Sequence, residues 1–266
     1  MSLKNIFLAS LFLGTVPFMG CQGTKKAIKN FNLLSIEDDI ALGKKVDAQI
    51  KSDPEKFPIL PEAGHQKIYN YIRGIKDKII NSGKVRYKKE FEWKVTIIND
   101  DKTLNAFCTP GGYIYVYSGL IKFLDSEDQL AGVLGHEIAH ADLRHSSRQL
   151  TKLYGIQILT AIITGKEEPG MLEQVALGLV SLRFSRNHET EADINSVIYL
   201  CPTSYNASGA AGFFEKMKDQ PTPPEFLSTH PNPRSRIKNI KDKKTALNCK
   251  GTQTNKALYA KMKSEI

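Results

Sequence analysis

Cysteine, tryptophan and long apolar runs are all scarce in this sequence. One Trp and four Cys occur in 266 residues, and four cysteines are too few to be the scaffold of a fold this large. Beyond the N-terminus, the apolar stretch 153–163 is only eleven residues long, so it predicts a core helix and not a membrane span. Internal repeats and low-complexity segments are absent from the sequence. With 41% hydrophobic and 24% charged residues, the composition is instead typical of a folded globular protein.

An excess of positive charge is lacking over most of the chain, although the net charge is +9. From His230 onward ten Lys or Arg face two acids, whereas 26 face 26 between residues 21 and 229. Tyr259 is the one aromatic residue in the basic stretch, so stacking on bases is not expected and nucleic-acid binding is disfavoured. Loose attraction to an anionic membrane surface fits these residues better.

The N-terminus predicts export. Residues 1–20 contain one cation, a short apolar run and no acid, which is the pattern of a signal peptide. The run ends in Phe-Met-Gly followed by Cys21, which resembles the lipobox of bacterial lipoproteins, where the cysteine thiol carries a diacylglycerol. An ordinary signal peptide, cut near Gly20 or Gly23, is the alternative. The resemblance implies a periplasmic protein anchored to the outer membrane, because no Asp follows Cys21.

Export places the other three cysteines in a compartment that permits disulfides. Cys201 and Cys249 lie beside turn-like sequence late in the chain, whereas Cys108 lies in an apolar strand segment, where a cysteine behaves as a small hydrophobe. We therefore predict a bridge between Cys201 and Cys249.

Apolar periodicity predicts an α+β protein that is mostly α-helical. A linker over 21–35 precedes a single domain over 36–266. Residues 91–98 alternate as a half-buried strand does, and a Thr-Pro-Gly-Gly turn separates two further apolar segments, so a small antiparallel sheet is expected. Helical spacing or apolar character predicts helices over 36–50, 62–81, 126–150, 171–184 and 186–200.

A zinc-site motif lies inside the predicted helix 126–150. His136, Glu137 and His140 match H-E-x-x-H. Residues four apart share one helical face, so both imidazoles can reach one zinc ion, with Glu137 beside them to take a proton from water. A surface helix with two solvated histidines is the alternative, and the apolar residues around the motif disfavour it.

A third ligand must come from elsewhere in the chain, because catalytic zinc sites use three protein ligands. His145 would lie on the opposite face of a continuous helix, so we expect it to be structural or to support a ligand. Downstream, Glu189 and Asp193 are four residues apart and share a face, from which Glu191 is rotated by about 200°. Taken alone, this stretch would be an acidic solvated helix face. After H-E-x-x-H a zinc site is the favoured interpretation, with Glu189 as ligand and Asp193 accepting the other ring N–H of a ligand histidine.

The order of these motifs resembles one metallopeptidase family. Residues Asn105, Ala106 and Phe107, the Pro-Gly-Gly turn, the H-E-x-x-H helix, the segment 185–193, and His230-Pro231 followed by Arg234 are together similar to the zinc metallopeptidases (gluzincins) that include HtpX, the CAAX prenyl proteases, BepA and LoiP. The layout is most similar to the compact single-domain outer-membrane lipoproteins of this group. The resemblance implies a zincin-like fold in which an edge strand flanks the active-site helix.

The same resemblance implies the roles of individual residues. One Zn²⁺ would be held by His136, His140 and Glu189, with Glu137 as the base. The edge strand of Asn105, Ala106 and Phe107 would bind extended polypeptide substrates, which suits degradation of misfolded envelope proteins. His230 would be an oxyanion donor, which we favour slightly, or a plug of the fourth zinc position, or only a loop residue. A zinc-stabilised chaperone at the outer membrane is the rival function.

Overall fold

The computed structural model describes residues 32–218, 225–230 and 233–266. The predicted signal peptide, Cys21 and most of the linker lie outside the described residues, as do Pro231 and the side chain of Arg234. Residues Asn32–Ile266 form one compact unit. Over the described ranges, none of the helices combines the length and the apolar character needed to cross a membrane.

Helices make up most of the described chain, which confirms the predicted class. They are α1 (Ile36–Lys51), α2 (Gln66–Ile80), α3 (Ser118–Phe123), α4 (Glu127–Asp142), α5 (His145–Tyr154), α6 (Ile156–Thr164), α7 (Met171–Val180), α8 (Arg186–Leu200), α9 (Gly209–Met217), α10 (Glu225–Thr229), α11 (Pro233–Ala246) and α12 (Lys256–Lys263). Serine caps begin two of them: the Ser35 hydroxyl accepts the Asp38 N–H at 3.0 Å, and the Ser185 hydroxyl accepts the His188 N–H at 3.2 Å. Such caps satisfy N–H groups that the first turn leaves unpaired.

The sheet is small, as expected, but it is mixed and not wholly antiparallel. Its strands β1 (Lys94–Ile98), β2 (Ala106–Cys108) and β3 (Tyr113–Tyr117) lie in the order β1-β3-β2. The predicted hairpin is present, because β2 and β3 pair antiparallel. Strand β1 instead pairs parallel with β3, because the loop after β1 carries the chain to the far side of β3 before β2 begins.

Strand β3 separates two apolar clusters. Its residues Ile114 and Val116 pack in one cluster with α2 and α4. Tyr113, Tyr115 and Tyr117 point to the other side, toward α1, α6 and α7. This alternation follows from the two-residue period of a strand, and it leaves β3 buried on both faces.

Helix α4 lies at the centre of the fold and is buried almost along its whole length. It packs against α8, α9 and β2. Gly132 permits the approach of α9, since a Cβ atom at this position would lie 2.1 Å from the backbone nitrogen of Ala210. A helix buried on every side shields its polar side chains from water, so any charged group on α4 needs a specific partner.

The predicted helix 126–150 is in fact two helices, α4 and α5. Between them Arg144 takes a left-handed conformation with φ of 58°, which few residues other than glycine adopt without support. The support is tertiary: the Arg144 guanidinium donates to Asp39 Oδ2 at 2.6 Å and to the Leu34 carbonyl at 2.6 Å. Contacts with residues more than a hundred positions earlier therefore end the helix, and the local sequence cannot show them.

The apolar stretch 153–163 is divided between two helices: Leu153 and Tyr154 end α5, and the residues from Ile156 onward form α6, which is not a core helix. Among its residues Leu159 and Ile162 are buried, and Gln157, Thr160 and Thr164 are exposed. The helix therefore packs one face against α1 and α5, as an amphipathic surface helix does.

A disulfide joins Cys201 to Cys249, 48 positions apart, and Cys108 is a free, buried cysteine. Closing a loop of this length restricts the unfolded chain, which stabilises the folded protein by about 4 kcal/mol in the chain-entropy model. We expect reduction, or replacement of both cysteines by serine, to lower the free energy of unfolding by up to this amount. Denaturant melts of the oxidised and reduced protein measure it. Peptide mass mapping that finds both thiols free in oxidised protein would contradict the bridge.

Candidate metal centre

Two histidines from one helix face each other at the centre of the molecule. His136 and His140 lie one turn apart on α4, and their Nε2 atoms are 3.0 Å apart. Both side chains are at most 1% exposed. The four-residue spacing sets this geometry, because it brings both rings to the same side of the helix.

Helix α8 brings an acidic residue to the same point. Glu189 places Oε1 3.4 Å from His140 Nε2 and Oε2 3.6 Å from His136 Nε2. Burial alone would raise the pKa of Glu189, but the neighbouring positive charges of His230 and Arg236 outweigh burial and lower it. The carboxylate is therefore held ionised. Glu191 instead contacts His145 and is not part of this group.

His230 completes a group of four. It follows α10, and its Nδ1 lies 3.2 Å from His136 Nε2 and 3.0 Å from Glu189 Oε1. One candidate ligand atom from each of the four buried residues falls within 4.8 Å of the others. Burial would lower the pKa of His230, but the carboxylates of Glu189 and Glu137 outweigh that effect and raise it.

The donor set fits a zinc ion. Imidazole nitrogens and a carboxylate are zinc ligands, and burial lowers the pKa of His136 to about 4, so its ring is neutral at pH 7 and keeps a lone pair. Oxygen atoms of Glu137 and Glu189 are buried here without a hydrogen-bond partner, although Glu189 Oε2 has an ion-pair contact with Arg236. A cation held by the histidines and Glu189 would place a positive charge beside both oxygens.

Glu137 lies beside the group and is not one of its four members. Its side chain is 1% exposed, and its Oε1 lies 3.6 Å from His230 Nε2. Burial raises the pKa of Glu137 to about 8. A carboxyl group with a pKa near neutrality can both take and give a proton at physiological pH.

Asp193 lies behind His136, on the face of α8 that carries Glu189. Its Oδ1 is 2.9 Å from His136 Nδ1. In a neutral imidazole one nitrogen carries the proton, so donation from Nδ1 to Asp193 leaves the Nε2 lone pair directed at the centre of the group.

Arg236 is a central residue that the sequence patterns did not reveal. It is buried, and its guanidinium donates to Asp193 Oδ2 at 2.7 Å and lies 2.7 Å from Glu189 Oε2. It also donates to the His230 carbonyl at 3.2 Å. In the sequence Arg236 belongs to a basic run typical of a solvated surface. One signal could have revealed it: two carboxylates that are buried side by side need a buried cation to balance their charge.

His145 does not belong to the four-residue group. The break between α4 and α5 brings it behind His140, where its Nδ1 lies 3.0 Å from His140 Nδ1. In a continuous helix the ring would have pointed the other way, so the expected position was wrong, although support of a ligand was one of the two expected roles.

The predicted edge strand lies close to the group but is covered. Ala106 and Phe107 belong to β2, Asn105 precedes it, and all three are buried. The segment of α10 contributes to the cover, since the Phe226 N–H donates to the Leu104 carbonyl at 3.1 Å. In this conformation the strand and the four-residue group are both shielded from solvent.

Comparison with known proteins identifies relatives of this chain. The family model described as peptidase family M48 matches residues 69–244. The beta-barrel assembly-enhancing protease of Yersinia pestis is 28% identical over 250 residues, which are 86% of this chain and 49% of that protein. The protein of the same name from Escherichia coli K12 is 30% identical over 181 residues, 61% of this chain and 37% of that protein.

A mitochondrial relative is also similar. The mitochondrial metalloendopeptidase OMA1 of Arabidopsis thaliana is 32% identical over 148 residues, which are 55% of this chain and 30% of that protein. This chain thus spans about a third to a half of the length of these curated relatives.

Proposed function

The chain belongs to peptidase family M48, and from this we propose that it is a zinc-dependent endopeptidase that hydrolyses peptide bonds of extended or misfolded proteins. The observation that carries the proposal is the buried group of His136, His140 and Glu189 with the carboxyl of Glu137 beside it. Two imidazoles, a carboxylate and an adjacent proton acceptor are the parts that metal-assisted hydrolysis of an amide requires.

His136, His140 and Glu189 would hold one zinc ion. When bound, zinc supplies the positive charge that polarises the scissile carbonyl and acidifies water. Asp193 keeps the His136 ring in the orientation and tautomer that binding requires, through the 2.9 Å contact with Nδ1. Arg236 holds Asp193 and Glu189 in place through its two ion pairs.

Glu137 would move the proton. Its carboxylate accepts the proton of the attacking water and later gives it to the nitrogen of the leaving amine. The pKa of about 8 that burial gives this group falls as a cation binds nearby, so the carboxyl becomes a base suited to neutral pH. Asp193 and Glu189 are each ion-paired with Arg236, whereas Glu137 contacts His230.

His230 would hold the fourth position and keep the enzyme closed. The sequence slightly favoured an oxyanion donor, but Nδ1 of His230 lies as close to the group as the ligands lie to one another. The plug therefore explains the observed position better. Substrate would reach the site only after α10, together with His230, moves away from β2. That movement would free the strand to pair with an extended polypeptide.

The cellular setting is proposed on different grounds. The names of the Yersinia and Escherichia relatives refer to β-barrel assembly, and β-barrels of this kind are outer-membrane proteins. The signal pattern and Cys21 support a lipoprotein in the periplasm, anchored to the outer membrane. Protein quality control in the envelope is the process that these features suit, with polypeptides and not nucleic acids as partners.

A chaperone with little proteolysis is a second candidate, and one observation favours it. The four-residue group and Glu137 are at most 1% exposed, so in this conformation the site is closed to substrate. A protein kept in this state would bind clients on its surface and rarely cut them. Comparison of degradation with prevention of aggregation separates the two functions.

Zinc analysis tests the ligand set. We expect one zinc per purified chain and, for Glu189→Gln, a loss of zinc affinity of more than about a hundredfold, because a charged ligand becomes a neutral amide. Inductively coupled plasma mass spectrometry and competition with a chelator measure both quantities. Glu215→Gln is the matched control, since Glu215 pairs with Lys241 on the surface. Equal zinc affinity in the Glu189 variant and the wild type would contradict the assignment.

A further inference from the structure

A line of three side chains runs outward from the candidate metal centre. It begins at His140, passes through His145 and ends at Glu191. His140 Nδ1 and His145 Nδ1 are 3.0 Å apart, and His145 Nε2 lies 3.1 Å from Glu191 Oε2. His145 is fully buried, whereas the Glu191 side chain is 48% exposed. The line therefore connects a buried ring to the surface.

The break between α4 and α5 creates this contact. In a continuous α-helix, residues five apart are rotated by about 140° and do not face each other. Arg144 turns the chain back at φ of 58°, and α5 then begins with His145. The ring of His145 also stacks on His188 at 4.4 Å between ring centres with 14° between planes, so its orientation is fixed by packing.

The chemistry assigns every proton in the line. If His140 Nε2 binds zinc, its lone pair is used there, and the single proton of the neutral ring must lie on Nδ1. That N–H donates to His145 Nδ1, which is therefore an acceptor. The proton of His145 then lies on Nε2 and donates to Glu191. Reversal of any one bond would put a proton on the nitrogen of His140 that faces the group.

Helix α8 thus supplies a ligand and both terminal acceptors. Glu189 faces the centre, Asp193 receives the proton of His136 directly, and Glu191 receives that of His145 on the other side. The four-residue spacing keeps Glu189 and Asp193 on one face of α8, and the two-residue spacing turns Glu191 to the other side, as the helical period requires.

The geometry points to His145 as a positioning residue that holds His140 in the tautomer able to bind zinc, with Glu191 fixing His145 in turn. This inference rests on the proposed zinc-peptidase function. Groups that orient a metal ligand typically contribute ten- to hundredfold in metal affinity. His145 contacts no metal itself, so its effect must appear through His140.

Three variants test the line, with zinc alone as the probe. His145→Phe keeps a ring but removes the acceptor, and we expect its zinc affinity to fall about 10- to 100-fold in chelator competition. His145→Asn places an amide oxygen near the former Nδ1, so its affinity should recover to within about threefold of the wild type. Glu191→Ala, a change at a half-exposed side chain, should weaken zinc binding by about tenfold without loss of the fold.

Further measurements separate positioning from simple packing. Circular dichroism of the metal-free variants establishes folding, and the visible spectrum of the Co²⁺-loaded protein reports the geometry around the metal. We expect the spectrum of His145→Phe to change and that of His145→Asn to match the wild type. His65→Phe is the matched control, since the Nδ1 of His65 bonds the Pro61 carbonyl.

Two results would overturn the inference. One is wild-type zinc affinity in Glu191→Ala, and the other is equal loss in folded His145→Phe and His145→Asn, which would assign the effect to packing. Wild-type protein that binds no zinc would instead overturn the proposed function. The two failures are thus distinguishable.

Discussion

Glu137→Gln is expected to lose nearly all peptide hydrolysis, by about 10²- to 10⁴-fold, while it keeps its zinc and its fold. The reason is that the amide has nearly the shape of the carboxylate but cannot take a proton from water. Glu137 is outside the four-residue group, so the ligands are untouched. Removal of a buried carboxyl whose Oε1 has no hydrogen-bond partner should not lower stability, because a neutral amide costs less to bury than a charge.

Casein degradation by purified protein measures this effect, with zinc content and thermal unfolding recorded on the same samples. Glu173→Gln is the matched control, because this residue pairs with Lys56 at the surface. Retained activity in a zinc-replete sample of Glu137→Gln would refute the proposed mechanism.

The same pair of proteins separates the peptidase from the chaperone. If the protein is a peptidase, the wild type degrades casein and the Glu137→Gln variant does not. A chaperone suppresses aggregation of an unfolded client equally well in both forms, and neither form degrades it. The measured quantities are the rate of appearance of peptides and the light scattering of the client.

His230→Ala is expected to raise basal hydrolysis by about 10- to 100-fold. If the closed arrangement is populated 90–99% of the time, only the remaining fraction of molecules is competent, and removal of the plug releases the rest. The supporting geometry is the pair of short distances from His230 Nδ1 to His136 Nε2 and Glu189 Oε1. Zinc should still bind, because His136, His140 and Glu189 remain.

The alternative role for His230 predicts the opposite sign. If the ring donates to the developing oxyanion, His230→Ala should lower kcat by about a hundredfold or more with little change in KM. Initial rates on a fluorogenic peptide, measured over a range of concentrations, distinguish the two roles. His65→Ala serves as the control. Unchanged kcat and KM would contradict both roles and leave His230 as a loop residue.

The sequence by itself determined the features that depend on local periodicity. The four-residue spacing of His136 and His140 puts both rings on one helical face, and the same rule placed Glu189 with Asp193 and turned Glu191 away. The Pro-Gly-Gly turn determined the hairpin of β2 and β3. Helix period and turn chemistry act within a few residues, so a single sequence contains them.

Tertiary contacts decided the features that local periodicity does not specify, because these contacts join residues far apart in the chain. The ion pair of Arg144 with Asp39 ends α4 and so brings His145 behind His140. Arg236, in a run that looks solvated, is buried because folding places Glu189 and Asp193 beside it. The parallel pairing of β1 and the cover that α10 places over β2 also depend on long-range contacts. Local patterns thus specified which groups could bind a metal, and only the packed fold determined what surrounds those groups and closes the site.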